Sequence, residues 1–135
     1  GEESLLALAS TLQLGKALHW HTHFIPPAAV ADYFNACDLV VQPYREATQS
    51  GVTPLAYHFE KPVVVTRVGA LPEMVEADQS GWVAAPNAID LAQQLRQTLS
   101  TPLAPLQANI RAAKEKYSWE SFCRRIVSLS TETKP

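Results

Sequence analysis

Two short apolar runs, Leu39-Val40-Val41 and Val63-Val64-Val65, constrain this chain more than any other feature. Each is continuous rather than alternating and is bounded by turn or charged residues, the pattern of a strand buried on both faces. Between them lie a polar loop, Tyr44 to Gly51, and a compact apolar segment, Val52 to Phe59, that suits a short helix. Strands joined through a helix run parallel, because the connection must cross one face of the sheet. The expected fold class is α/β, a parallel sheet with flanking helices.

That crossover puts the loop at the carboxyl edge of the sheet, where α/β proteins hold ligands. Gln49, Ser50 and Gly51 fall where the helix begins. Pro54 agrees, since a residue without an N–H is tolerated in a first turn. Free amides there suit a phosphate or carboxylate, Gly51 has no side chain to hold an anion off, and Thr48 and Ser50 add hydroxyl donors. Ser, Thr and Gly at a helix start are also what ordinary capping requires. The residues alone leave both readings open.

The order of these pieces resembles the donor-binding half of nucleotide-sugar glycosyltransferases of the GT-B fold, in the large retaining group called family 4. The resemblance rests on Asp38-Leu39-Val40-Val41-Gln42-Pro43, the loop from Glu46 to Gly51, Pro62-Val63-Val64-Val65-Thr66 and Val68-Gly69-Ala70-Leu71-Pro72-Glu73. Tyr117-Ser118-Trp119-Glu120 is similar to the family's terminal aromatic-Ser-Trp element. The resemblance implies a Rossmann-like parallel sheet, with residues 1–135 as a single, partial nucleotide-sugar-binding domain that ends in helices. It implies a parent enzyme that moves a sugar from a nucleoside diphosphate sugar to an acceptor hydroxyl with retention.

Carried over residue by residue, it implies that Thr48, Gln49, Ser50, Gly51 and Val52 hold the donor diphosphate. Glu46 would be the catalytic carboxylate facing the donor sugar, with Arg45 beside it, although the register leaves Thr48 as the other candidate for that position. Phe24, Ile25 and Pro26 would approach the nucleotide base. No metal is implied, and no cofactor beyond the nucleotide-sugar substrate. The family carries a second Glu, a fixed interval after the first, that grips the ribose hydroxyls; here that interval reaches Pro54. Ribose recognition by that carboxylate is therefore not implied. The amino-terminal acceptor domain and the first two donor-domain strands are expected to lie outside this sequence. The acceptor, whether glycan, lipid or small molecule, stays open, and this part alone is expected to be inactive.

Two competing readings are a flavodoxin-like or receiver-type binding module and a degenerate, non-catalytic donor domain. A receiver needs clustered acids at strand ends and a dinucleotide binder needs GxGxxG; neither is in the sequence, nor is GxxxxGK[ST]. A net charge of −2 gives no long-range attraction for nucleic acid, so a phosphate must be held by local donors. No apolar run approaches bilayer-spanning length and no signal peptide opens the chain. Cys37 and Cys123 lack metal-type spacing and read as small core residues of a reducing, cytoplasmic protein. Peripheral membrane contact is left to parts outside this sequence.

The remaining elements follow from periodicity. Glu2 to Leu14 reads as a helix stopped by Gly15, and Leu18 to Ile25 as a strand. Alternation along that strand would put His19, His21 and His23 on one face, as a metal trio or, more simply, an exposed polar face. Helices are expected over 28–36, 90–99, 109–116 and 118–129, a turn and short helix over 69–76, and a last strand over 81–85. Ser118 suits an N-cap and Trp119 an apolar anchor, while Glu73 reads as a helix-start acid before a ligand contact. Without the two missing strands, the open sheet edges would pair with another copy or close in a rearranged order.

Overall fold

A computed structural model of the chain describes residues 1–132. Its strands β1 (Val40–Gln42), β2 (Val63–Thr66) and β3 (Gly81–Ala84) form one parallel sheet in the order β1-β2-β3. The helices are α1 (Glu2–Thr11), α2 (Pro27–Ala36), α3 (Val52–His58), α4 (Leu71–Asp78), α5 (Ala88–Leu99), α6 (Ala104–Lys116) and α7 (Trp119–Glu132). Helices α3 and α4 are the crossovers of the two parallel pairs. The fold is the α/β arrangement expected, with β2 at its centre.

All four residues of β2 are buried. Val63 and Val65 enter a cluster with Tyr57, Val75, Ile110 and Ala113, while Val64, on the opposite face by alternation, is also fully buried. Each such side chain contributes about 1.5 to 3 kcal/mol when removed from water. Helix α4 lies against β2, β3 and α6, and α3 packs on α6. At the start of β3, a Cβ on Gly81 would stand 1.9 Å from the Val63 carbonyl oxygen. Only glycine allows that approach.

Polar groups fasten this unit at its lower edge. The buried Tyr57 hydroxyl is hydrogen-bonded to Ser80 Oγ, and burial pushes the phenol up to about 12. Lys116 donates to Asp78 Oδ1 at 2.7 Å, joining the end of α6 to the end of α4, and that bond raises the ammonium to about 12. Arg111 and Lys114 both reach Glu60, at 2.8 and 3.3 Å, and their hydrogen bonds hold its carboxyl below the usual range.

Several expectations need correction. Residues 18–25 form no strand: a 3-10 turn at Gly15–Ala17 leads into irregular chain. A strand needs a partner for its amides, and this segment has none, whatever its alternation. Its side chains bond to helices instead, Trp20 Nε1 donating to Glu2 Oε1 at 3.2 Å and His21 Nδ1 meeting the Tyr33 hydroxyl at 3.3 Å. The rearranged sheet, with this segment beside β1, does not form. Strand β1 is not buried on both faces; as an edge strand it leaves Val40 half-buried and Val41 exposed.

Helix α1 stops at Thr11, before Gly15, where Gln13 already takes a left-handed φ of +53°. Helix α6 starts at Ala104 because Pro105 sits in its first turn rather than interrupting the chain. Ser118 Oγ accepts from the Ser121 amide at 3.2 Å, as a cap should. Trp119, however, is 77% exposed rather than an anchor, and Cys123 is exposed while Cys37 is half-buried. Among the described residues the apolar side of α7 takes no part in the core cluster. Among the described residues no helix is long and apolar enough to cross a membrane. The last residues of the tail from Thr131 lie outside the described ones.

Candidate functional site

The chain leaves β1 through a loop that the neighbouring strand holds down. Thr66 Oγ1, at the end of β2, donates to the Tyr44 carbonyl at 2.6 Å, and the Ala70 amide donates to the Thr48 carbonyl at 2.9 Å. Gly69 lies between these bonds with φ +51°, and a Cβ there would stand 2.0 Å from the Ala47 carbonyl oxygen. The loop after β1 and the turn after β2 are thus one assembly, closed by a residue that must be glycine. Beneath it, the buried Gln42 donates from Nε2 to Thr53 Oγ1 at 2.9 Å, and its Oε1 has no partner among the described residues. That bond fixes the first turn of α3 to the end of β1.

These two segments enclose a cleft of about 550 Å³. Gln49, Ser50, Gly51, Thr53 and Pro54 form one wall, and Ala70, Leu71, Glu73 and Met74 the other. Tyr117, at the end of α6, closes it, its ring 6.1 Å from that of Tyr57 and beneath the Lys116 ammonium at 4.9 Å. Gly51 is the N-cap of α3, and the Val52 amide donates to Ser50 Oγ at 3.2 Å. Among the described residues the amides of Gly51 and Thr53 have no protein acceptor. Among the described residues no lysine, arginine or histidine lines the cleft.

The residues singled out in the sequence divide. Gln49, Ser50 and Gly51 line the cleft; Thr48 is exposed outside that lining with its carbonyl committed to Ala70, and Val52, also outside it, turns its amide to Ser50. Arg45 and Glu46 are exposed on the loop but do not line the cleft. Phe24 is 82% exposed, and with Ile25 and Pro26 it sits before α2, outside the cleft lining. Glu73, read first as a helix-start acid, stands in the cleft wall. Thr53 and Met74 carried no signal of their own, because a hydroxyl and a thioether inside a helix are ordinary features, and Tyr117 was marked only as part of the terminal aromatic-Ser-Trp element. His19, His21 and His23 share no strand face; the rings of His21 and His23 meet edge-on at 5.7 Å. Among the described residues no group of three His, Cys, Asp or Glu is placed to hold a metal ion.

A parallel α/β sheet with its cleft built from the segments after adjacent strands defines a Rossmann-like domain of the GT-B kind. Sucrose-phosphate synthase from Thermosynechococcus elongatus shares this fold, with a TM-score of 0.80 at 22% identity over 96% of this chain and 33% of that chain. The sequence pattern described as glycosyl transferases group 1 matches residues 1–101, and the chain belongs to that family. D-inositol 3-phosphate glycosyltransferase from Rhodococcus opacus is 32% identical over 124 residues, which are 87% of this chain and 27% of that protein. The chain therefore corresponds to a minor share of the length of these relatives.

Proposed function

We propose that this chain is the donor-binding part of a glycosyltransferase, and that the cleft between Gln49–Pro54 and Ala70–Met74 receives a nucleoside diphosphate sugar. The single observation that carries this reading is the cleft itself, in a member of the group 1 family, at the carboxyl edges of β1 and β2. The diphosphate lies against the Ser50–Gly51 side, where the Gly51 and Thr53 amides have no protein acceptor among the described residues and Gly51 adds no side chain to hold an anion off. Glu46 and Arg45, on the same loop, attend the sugar once the rest of the enzyme closes over it.

In the reaction, the bond from the anomeric carbon to the diphosphate oxygen breaks, its electrons passing to the phosphate. A bond to the acceptor oxygen forms on the same face of the sugar, and the acceptor proton leaves with the diphosphate. Charge develops on the leaving group, so fixed amide donors there stabilise the transition state more than the ground state. The acceptor site belongs to the remainder of the enzyme, as does any membrane contact. Calorimetric titration of the chain with uridine, guanosine, adenosine and cytidine diphosphates tests the reading. One of them binds with a Kd below about 1 mM, equivalent to about −4 kcal/mol; binding by none would refute it.

A further inference from the structure

The cleft has an uneven chemistry. Among the described residues Glu73 is its one carboxylate and has no hydrogen-bond or ion-pair partner, and none of them sets a cationic side chain in the same walls. A phosphate set beside Glu73 would meet repulsion with nothing to offset it. The other side chains present Met74 and Pro54 as apolar surface with the Ser50 hydroxyl beside them, while Leu71 and Thr53 in the same walls are buried. Ser50 Oγ already accepts from the Val52 amide and Thr53 Oγ1 from Gln42, so each neutral oxygen keeps a single lone pair, a weaker acceptor than a carboxylate. A ligand whose own hydroxyl protons need an acceptor finds its strongest one at Glu73.

We infer that Glu73 is the specificity-determining acceptor of this cleft, taking both hydroxyls of a vicinal diol on an uncharged sugar ring whose C–H face rests on Met74 and Pro54. The inference rests on the donor reading above and adds to it the residue that selects the ligand. A carboxylate receives two O–H donors at once, in charge-assisted bonds stronger than those between neutral groups. It also keeps the phosphates at the opposite, Ser50–Gly51 side. Pro54, on the facing wall, has no group that does this work. The diol belongs to the ribose of the nucleotide or to the transferred sugar.

The test compares the chain with its Glu73→Gln and Glu73→Ala variants, each checked for an unchanged melting temperature. The probes are uridine, guanosine, adenosine and cytidine diphosphates, their 2′,3′-dideoxy analogues, and the nucleotide-sugars UDP-glucose, GDP-mannose, ADP-glucose and CDP-glucose. If the ribose supplies the diol, the unaltered chain binds the ribonucleotide at least about tenfold more tightly than the dideoxy form, one lost charge-assisted pair being worth that much, and Glu73→Ala brings the ratio near one. If the transferred sugar supplies it, the dideoxy change has little effect, and the tighter binding of the nucleotide-sugar over the diphosphate disappears in both variants. Variants that keep every ratio of the unaltered chain overturn the assignment to Glu73 while leaving the donor reading intact. An unaltered chain that binds none of the probes overturns both.

Discussion

The unit from Val40 to Tyr117 and the arms on either side of it are made from similarly apolar sequence, yet they end in opposite states. In the unit, Val63, Val64, Val65, Tyr57 and Ile110 are fully buried. In the arms, α1 and α2 contain no buried residue and Leu5, Leu8, Leu12, Trp119 and Phe122 remain 51% or more exposed, while Phe34 of α2 is half-buried where it stacks on Phe59. The difference teaches that an apolar stripe is only half of a packing interaction. Central strand residues find partners within a few turns of chain, through β2, α4 and α6. The leucines of α1 and the aromatics of α7 are patterned for burial against surfaces that the described residues do not supply.

The comparison can be broken or sharpened by substitution. Ile110→Ala has the largest effect, because it empties a fully enclosed site between α6 and the sheet; a loss of about 4 kcal/mol is expected in urea unfolding. Gly69→Ala comes next. A methyl at φ +51° aimed at the Ala47 carbonyl costs about 2 to 3 kcal/mol, and it frees the loop from the turn, so nucleotide binding falls more than stability does. Retained binding in a folded Gly69→Ala chain would separate the loop clamp from the ligand site.

Tyr57→Phe is smaller, about 1 kcal/mol, since it removes one bond and strands Ser80 Oγ in the interior. Its signature is in the alkaline limb. The folded phenol is raised from 10.0 to about 12, so its contribution is complete below pH 10 and is lost as pH rises to about 12. Lys116, raised from 10.5 to about 12, loses its contribution over the same range. Melting temperatures measured across that window fall in the unaltered chain and fall less steeply in Tyr57→Phe. In the arm, Leu8→Ser changes stability by less than about 0.5 kcal/mol and lowers any self-association seen by light scattering. A destabilisation as large as that of Ile110→Ala would mean that α1 is packed after all.

How much of this was legible depends on where the partners are. Val63-Val64-Val65 announced a central strand because continuous β-branched burial has few other uses, and Gly51 with Pro54 marked the start of α3 to the residue. The cleft's first wall, Gln49 to Gly51, was legible for the same reason, since a helix start after a strand is a local event. The second wall was not. Met74 and Tyr117 reach the cleft through tertiary packing, and the weight of Glu73 changes only when Pro54 is seen across from it. The strand expected at Leu18 to Ile25 failed because alternation reports a face, and a face needs a neighbour before it becomes a strand.

The central claim is that the walls on either side of the β1 and β2 carboxyl ends form one nucleotide site. The most direct measurement is amide mapping by nuclear magnetic resonance on the ¹⁵N-labelled chain, titrated with the nucleoside diphosphate that calorimetry finds tightest. The account predicts saturable shifts at Ser50, Gly51 and Thr53 together with Ala70 and Glu73, while the amides of α1 and α7 stay still. Shifts confined to the arms, or to one wall without the other, would contradict it.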